Sequence, residues 1–392
     1  MIATLKLSLL ILLAGEAEPS PLAKFQLHNR EARAARERSD HAAYLRHVRV
    51  VQSLLPGNAS VRYSLARAYA LNGHRDSAVA ELATLARQGF AYRVLEEPAF
   101  AGMAGQEAFR KVAAELLANG PGEGAARLES LKLPDEMRGE AITWSPASRS
   151  FLLGGEGGVH SLAPDGGSSR LLGRWDAQVL GIRADPATAT FLTCVNHEEA
   201  GTSQVARHRL SDGALLATYP LPAAGALCND IALLPDGGFA VTDSNNSLVF
   251  RLEGGRLAPL SFSRPIFLPN GIAADPASGR LFVADANGIL VHDIAAGASW
   301  HLEPEATSIA GIDGMIWHKG ALVGVQNQTI PARLLRIRPD SAARRAEVAV
   351  LLADPAVGNS ATVAAMDDEA FVYSRSRDEG AQDQPRLLRV RL

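Results

Sequence analysis

The sequence predicts an α + β multidomain protein in which an N-terminal helical region precedes an all-β six-bladed propeller. Up to about residue 118, apolar residues recur at three- and four-residue spacing, which is typical of amphipathic helices. Beyond it, short alternating strands follow one another between Asp-Pro, Pro-Asp-Gly and Ser-Gly turns. One strand–turn–strand pattern recurs six times at spacings of 40, 49, 41, 43 and about 47 residues, which suits a four-stranded propeller blade.

The first 17 residues have the features of a secretory signal peptide. Lys6 supplies a positive charge, residues 7–14 form a short apolar core, and Gly15-Glu16-Ala17 offers a cleavage site. An uncleaved anchor is the alternative, although the apolar core is too short to span a bilayer comfortably. We expect an exported protein, periplasmic or secreted, with no membrane span once the signal peptide, residues 1–17, is removed.

Composition and cysteine content narrow the class of protein. The chain is 47% hydrophobic and 21% charged with a formal net charge of −3, and it has no dense basic run, so we expect no nucleic-acid partner. Its two cysteines, Cys194 and Cys228, lie in predicted strands of neighbouring repeats. Export would permit a disulfide between them, but two buried thiols are the expectation.

Residues 24–118 form the predicted helical domain. A first helix carries apolar residues from Val61 to Tyr69, Gly73 ends it, and Asp76 can open the next helix. This helix pair resembles a tetratricopeptide repeat, with small residues where the helices would pack closely. The resemblance implies a groove that binds a protein partner, and a purely structural cap is the alternative.

A Gly-rich stretch, NGPGEGAARLES, opens a linker that we place at residues 119–134, and the propeller is predicted over 135–392. The innermost strand of each blade lines the channel of a propeller. Equivalent positions of the repeats therefore form a ring around one axis. The first positions of the six repeats are Glu140, Leu180, Asn229, Asn270, Asp313 and Ser360.

Four of these positions hold Asn, Asp or Glu, although strand interiors disfavour Asn and Asp. Two carboxylates and two amides that converge would repel or stay unsatisfied without a cation, and calcium binds such oxygens. The absence of Cys and His argues against zinc. We therefore predict one calcium ion in the central channel, held by Glu140, Asn229, Asn270 and Asp313, with another divalent ion as the alternative. Taken singly, Asn270 in Pro-Asn-Gly would pass as an ordinary turn residue.

Several repeats resemble a known family. The segments CNDIALLPDGGFAVTD, PNGIAADPASGRLFVAD and GIDGMIWHKGALVGV look like blades of the senescence-marker-protein/gluconolactonase family of calcium-dependent lactonases. The segment FLTCVNHEEAGTSQVARHRL is similar to the related paraoxonase group. The resemblance covers roughly residues 135–392. It implies that Glu140, Asn229, Asn270 and Asp313 match the four side-chain ligands of the catalytic calcium.

The chain also departs from that family at positions that handle substrate. His197 matches one member of the histidine pair of the paraoxonases, and Leu180 stands where the other would be. Leu227 replaces an arginine that contacts substrate in the gluconolactonases. Of the side-chain ligands for a second, structural calcium, only Asp230 remains.

Two functions are consistent with these residues. The first is an exported calcium-dependent hydrolase of lactones or related small esters, with His197, Asp313 or Asp230 as the group that accepts a proton from water. No Gly-x-Ser-x-Gly elbow supports a serine nucleophile. The second is a non-enzymatic propeller that binds a ligand in its channel and a protein through the helical domain.

Four further polar residues stand near predicted strand ends and could line the channel entrance. For each of them, a hydrogen bond within a turn or between blades is the expected role. They are Asp243, Asp285, Gln326 and Asn327.

Overall fold

In the computed structural model, the described residues form five α-helices followed by six β-sheets, in agreement with the predicted fold class. The structure describes residues 19–120, 122, 124, 128–134, 137, 139–155, 157–376 and 384–392. The predicted signal peptide lies outside the described residues. Among those residues, no helix has both the length and the apolar character that a membrane span needs.

The helical region is built from consecutive helices that pack against one another. The helices are α1 (Pro21–Glu37), α2 (His41–Leu54), α3 (Ala59–Leu71), α4 (Arg75–Arg87) and α5 (Glu107–Ala118). Ser20, Asp40 and Asn58 cap the first three helices, because each side chain accepts a backbone N–H of the first turn. The tetratricopeptide resemblance of these pairs stays a prediction.

In blades 1 to 5, four antiparallel strands follow one another outward from the innermost strand. Blade 1 contains β2 (Gly139–Ser145), β3 (Ser150–Gly155), β4 (Gly158–Leu162) and β5 (Ser169–Gly173). Blade 2 contains β6 (Gln178–Asp185), β7 (Thr190–His197), β8 (Thr202–Arg209) and β9 (Leu215–Pro220). Blade 3 contains β10 (Cys228–Leu233), β11 (Phe239–Asp243), β12 (Leu248–Glu253) and β13 (Arg256–Pro259). Blade 4 contains β14 (Ile272–Ala274), β15 (Arg280–Asp285), β16 (Gly288–Asp293) and β17 (Ala298–His301). Blade 5 contains β19 (Met315–His318), β20 (Ala321–Gln326), β21 (Arg333–Pro339) and β22 (Arg345–Ala353), and the short strand β18 (Glu303–Pro304) pairs with β22 in parallel.

Blade 6 closes the ring by combining both ends of the propeller. It contains β23 (Val363–Met366), β24 (Glu369–Ser376), β25 (Gln384–Arg391) and, outermost, β1 (Leu128–Lys132). The propeller therefore begins at Leu128 and not at residue 135, since β1 falls inside the range assigned to the linker. A strand from the start of the propeller pairs with β25 along the edge that would otherwise stay open. The innermost strands contact their neighbours in sequence from blade 1 to blade 6 and back to blade 1.

The propeller core lies between neighbouring blades. Each apolar cluster there takes buried residues from two adjacent sheets; Val205 of blade 2, for example, joins Val241 of blade 3. In the same way Phe151 of blade 1 contacts Phe371 of blade 6, with ring centroids 4.6 Å apart. Because adjacent blades share their apolar surface, the position of each innermost strand is fixed by its neighbours.

Cys194 and Cys228 form a disulfide, so the expectation of two buried thiols is wrong. Cys194 lies on β7 of blade 2 and Cys228 begins β10 of blade 3. The packing of the two blades brings the Cα atoms to 5.1 Å, within the range that a disulfide requires. The bond fixes the start of β10, where Asn229 is the next residue.

The helical region docks on loops of blades 4 and 5. Phe25 of α1 meets the ring of Phe267 edge-on, with centroids 5.7 Å apart. The side chain of Asn58 donates to Ala286 O at 2.7 Å, and Asn287 Oδ1 accepts the N–H of Gly57 at 2.9 Å. Antiparallel pairing places these loops at the end of the propeller where the innermost strands begin. The helices therefore border the channel entrance, which we define as that end of the ring.

A second contact between the two regions is polar and buried. The guanidinium of Arg333, at the start of β21, donates to the carbonyl oxygens of Gln88 and Gly89. It also donates to Thr307 Oγ1 at 2.9 Å and lies over the ring of Phe90, 4.2 Å from its centroid. Only 2% of Arg333 is exposed, so this network ties α4 firmly to blade 5.

Candidate functional site at the channel entrance

The four predicted metal ligands stand at or just before the start of innermost strands. Glu140 and Asn229 are the second residues of β2 and β10, while Asn270 and Asp313 precede β14 and β19 by two residues. Glycines let these segments approach closely: a Cβ at Gly271 would lie 2.7 Å from the carbonyl oxygen of Asp313. Residues at equivalent positions of the repeats therefore lie close together at the channel entrance.

Asp313 is the centre of the polar cluster at this entrance. Its Oδ2 accepts a hydrogen bond from Nδ2 of Asn327 at 2.5 Å, and the side chain of Asn270 also donates to it. Nδ2 of Asn327 bonds in addition to the carbonyl oxygen of Ser360, at 2.9 Å. These contacts bring together segments that enter blades 4, 5 and 6.

Negative charge also accumulates at the entrance. Burial raises the pKa of Asp313 to about 6, the hydrogen bonds from Asn327 and Asn270 oppose that rise, and the carboxylates of Glu140 and Asp230 add to it. Because neighbouring ionised carboxylates repel one another, a cation bound among them would stabilise their ionised forms.

Several buried oxygens of this cluster lack a hydrogen-bond donor. Oδ1 of Asn270, Oδ1 of Asn327 and Oγ of Ser360 have no partner within the described part of the chain. A buried polar atom without a partner costs about 1–3 kcal/mol. Oxygen-rich surroundings of this kind fit calcium, which takes six to eight oxygen ligands. No group of three or more His, Cys, Asp or Glu suited to a metal occurs among the described residues, so amide oxygens would have to complete the shell.

Asn229 is held by a relay of hydrogen bonds to the next blade. Its Nδ2 donates to Oγ of Ser244 at 2.9 Å, and that hydroxyl donates to the carbonyl oxygen of Pro269 at 2.6 Å. Pro269 directly precedes Asn270. The relay occupies the amide nitrogen of Asn229, so the carbonyl oxygen of that side chain is the atom suited to a cation.

Asp230 has a different environment from the other candidates. Its carboxylate pairs with Arg183 at 3.0 Å and accepts the backbone N–H groups of Ile231 and Ile272 at 2.8 and 3.1 Å. Burial raises the pKa of Asp230, and the charge of Arg183 together with the two N–H groups opposes that rise. These partners belong to blades 2, 3 and 4, so Asp230 links three blades.

His197 lies apart from this cluster. It ends β7 and lines a cleft of about 510 Å³ between blades 1 and 2, with its Nε2 3.5 Å from Nε2 of Gln204. Other residues lining the cleft are Gly157, Trp175, Asp176, Ala177, Gln178, Asn196, Glu198, Glu199 and Ala200. The structure does not bring His197 into contact with Asn229, Asn270 or Asp313.

The hydrogen-bonding role expected for the strand-end residues is confirmed. Asp285 accepts the N–H groups of Phe267, Asn287 and Gly288. In the same way Asp243 accepts the N–H of Leu227, and Gln326 donates to the carbonyl oxygens of Ser308 and Ala310.

Asn327 could line the channel entrance by sequence, although a turn or inter-blade hydrogen bond is its expected role. It contacts Asp313 directly and so joins the candidate site. The repeats contain the signal that would have identified it. Asn327 follows the end of the second strand of blade 5, and Ser244 follows the second strand of blade 3 in the same way. Aligning the ends of the second strands, as well as the first positions, would have selected it.

Comparison with known proteins gives structural neighbours only. No family model and no curated protein matches the chain. Among solved structures, an oxidoreductase (glucose dehydrogenase) from Thermus thermophilus is 17% identical, with 67% of this chain and 99% of that one covered and a TM-score of 0.48. A virginiamycin B lyase from Staphylococcus aureus (15%, 68% and 99%, TM-score 0.48) and a proposed gluconolactonase (16%, 68% and 94%, TM-score 0.48) are similar to the same extent. These names span different reactions, so the likeness does not select an activity.

Proposed function

We propose that this protein is a calcium-dependent hydrolase of lactones or related small esters, with its metal at the channel entrance. The observation that carries the proposal is the cluster of buried oxygens without donors around Asp313, namely Oδ1 of Asn270, Oδ1 of Asn327 and Oγ of Ser360 among the described residues. An unpaired buried oxygen in a native protein requires an explanation, and an ion bound among these oxygens would supply the missing partner. The mixed carboxylate and amide donors favour a hard divalent cation.

Glu140, Asn229, Asn270 and Asp313 would hold the ion, which when bound supplies a Lewis acid for a carbonyl group and for the oxyanion that develops from it. Asp313 is the group we assign to accept the proton of the attacking water, because it is the carboxylate on which the amides of the cluster converge. The salt bridge of Asp230 with Arg183 suits a positioning role. Leu180 occupies the equivalent position of blade 2, so that blade contributes an apolar side chain to the ring of first positions.

The test compares hydrolysis of a lactone and ester panel with and without chelator, together with the metal content of the purified protein. Asp313→Asn should lower the rate on the best substrate by roughly 10²-fold or more and reduce the bound metal. Asp236→Asn, on an exposed turn, is the matched control and should leave both unchanged. Full activity of the Asp313→Asn protein would refute the proposal.

A non-enzymatic propeller that binds a ligand in its channel, with calcium structural or absent, is the second candidate. Leu180 and Leu227 favour it, because neither can take part in proton transfer or bind polar substrate groups. It would be supported by the absence of hydrolysis across the whole panel, with or without calcium. A protein partner of the helical domain belongs to this candidate and could be sought by cross-linking in the source cells.

We further propose export to the periplasm or beyond. Residues 1–17 have the pattern of a signal peptide, and a disulfide such as Cys194–Cys228 persists in oxidising compartments. Mass spectrometry of the mature chain should find an N-terminus near residue 18. A mature chain that still begins at Met1 in the cytosolic fraction would refute export.

A further inference from the structure

A groove lies where α1, α2 and α3 meet loops of blades 4 and 5. Its volume is about 340 Å³, which falls within the range of small-molecule sites of about 300–1,000 Å³. Buried apolar side chains line it, including Phe25 from α1 and Val48 and Val51 from α2. The four proposed metal ligands do not line it, so this groove is distinct from the channel-entrance site.

Leu268 forms the lip of the groove and is unusual in two respects. It is 42% exposed, and its φ of +51° places a bulky side chain in the left-handed region, which costs about 1–3 kcal/mol. The hydroxyl of Ser247 holds it there by accepting its N–H at 3.0 Å. Leu268 also lines a second depression that adjoins the groove along α1. The exposed apolar side chain of Leu268 is therefore held at the edge of the groove, where it can contact a ligand.

The rim of the groove carries unpaired positive charge. Arg33 and Arg36 lie one turn apart on α1, both are exposed, and neither side chain forms an ion pair or hydrogen bond with any described residue. In α3, by contrast, Arg62 and Arg67 each pair with a glutamate. Two arginines and one glutamate, Glu37, line the adjoining depression. An apolar floor beside two unpaired guanidinium groups is complementary to an amphipathic anion.

We propose that this groove binds a medium-chain carboxylate. Its apolar chain would lie against Phe25, Val48 and Leu268, and its carboxylate would bind Arg33 and Arg36. The proposal does not depend on hydrolysis or on a metal ion. Leu268 precedes Asn270 by two residues, so the bound molecule would lie beside the channel entrance.

The test is calorimetric titration of the full chain with decanoate in the presence of a chelator. Decanol serves as the uncharged analogue and acetate as the headgroup alone. We expect saturable binding of decanoate, binding of decanol at least tenfold weaker, and no detectable binding of acetate. Absence of decanoate binding, or equal affinity for decanol, would overturn the proposal.

Two variants locate the site without disturbing the fold. Arg33→Glu combined with Arg36→Glu should weaken decanoate binding at least tenfold, whereas Arg110→Glu on α5 should not. Leu268→Gly relieves the positive φ, so it should fold normally and still weaken decanoate binding severalfold. Unchanged affinity in both groove variants would place the ligand elsewhere and refute the proposal. Asp313→Asn should leave decanoate affinity unchanged, which separates this site from the proposed hydrolase.

Discussion

The channel entrance and the junction between helices and propeller lie at the same end of the molecule, yet they treat buried polar groups in opposite ways. At the junction, the guanidinium of Arg333 is paired with Gln88, Gly89 and Thr307. At the channel entrance, buried oxygens such as Oδ1 of Asn270 have no donor in the part of the chain that the structure describes. The first network holds chain segments together, and the second is the place where we propose that a cation supplies the missing partners.

The largest effect is expected at the junction. Arg333→Ala would leave the Gly89 carbonyl oxygen and Thr307 Oγ1 without this donor, and the Gln88 carbonyl oxygen with only the hydroxyl of Thr307. We therefore expect a loss of about 3–5 kcal/mol in the free energy of unfolding. Urea denaturation would measure it. Arg338→Ala, on an exposed part of β21, should change that free energy by less than about 0.5 kcal/mol. A loss below about 1 kcal/mol for Arg333→Ala would mean that the junction does not depend on this network.

The disulfide beside Asn229 should contribute nearly as much. Cys194 and Cys228 are 34 residues apart, and closing a loop of that length stabilises a fold by about 3–4 kcal/mol in the chain-entropy model. Replacing both cysteines by alanine should lower the free energy of unfolding accordingly. Reductant should lower the stability of the wild-type protein by a similar amount and leave the double variant unaffected. Equal stability of the oxidised wild type and the double variant would contradict this.

Calcium should act at the entrance and not at the junction. At a hundredfold excess over its Kd, a ligand that binds only the folded state stabilises it by about 2.7 kcal/mol. Thermal unfolding should show this increment, and Asn270→Ala should abolish most of it. In chelator the variant should lose only the hydrogen bond that the Asn270 side chain donates to Asp313, about 1.5–3 kcal/mol, because Oδ1 has no donor to lose among the described residues. Asn245→Ala, whose side chain bonds to Gly225 O, should retain the calcium response. An equal response in the Asn270→Ala protein would exclude Asn270 as a ligand.

A pH-dependent effect is expected from Asp285, next to the junction. Burial raises the pKa of Asp285 to about 7, whereas the unfolded chain titrates near 3.8. Between these values the folded protein binds more protons than the unfolded one. Stability should therefore fall as the pH rises from about 4 to about 7, with a slope of up to about 1.4 kcal/mol per pH unit, and level off above.

Asp285→Asn should flatten that part of the pH profile. Asp243→Asn, at the equivalent end of β11 in blade 3, is the matched control and should keep the slope. An identical pH dependence in wild type and the Asp285→Asn protein would assign the slope to other groups.

The repeats predicted much of the architecture, because equivalent positions of successive repeats form a ring in a propeller. The first positions of the repeats led to Asn270 and Asp313, and the structure places these two side chains in contact. Asn327 belongs to the same cluster but comes from the end of a second strand, so first positions alone could not reveal it. His197 matched a family position by sequence, yet its strand carries it into a separate cleft.

The two regions, the six blades and the oxygen-bearing residues at or just before the start of the innermost strands follow from local periodicity and repetition, so the sequence alone predicts them. Three features depend on tertiary packing: the closure of blade 6 by β1, the bond between Cys194 and Cys228, and the docking of the helices beside the channel entrance. Each of these contacts joins residues far apart in the chain. Such pairings depend on how whole blades and helices pack, and no local pattern specifies them.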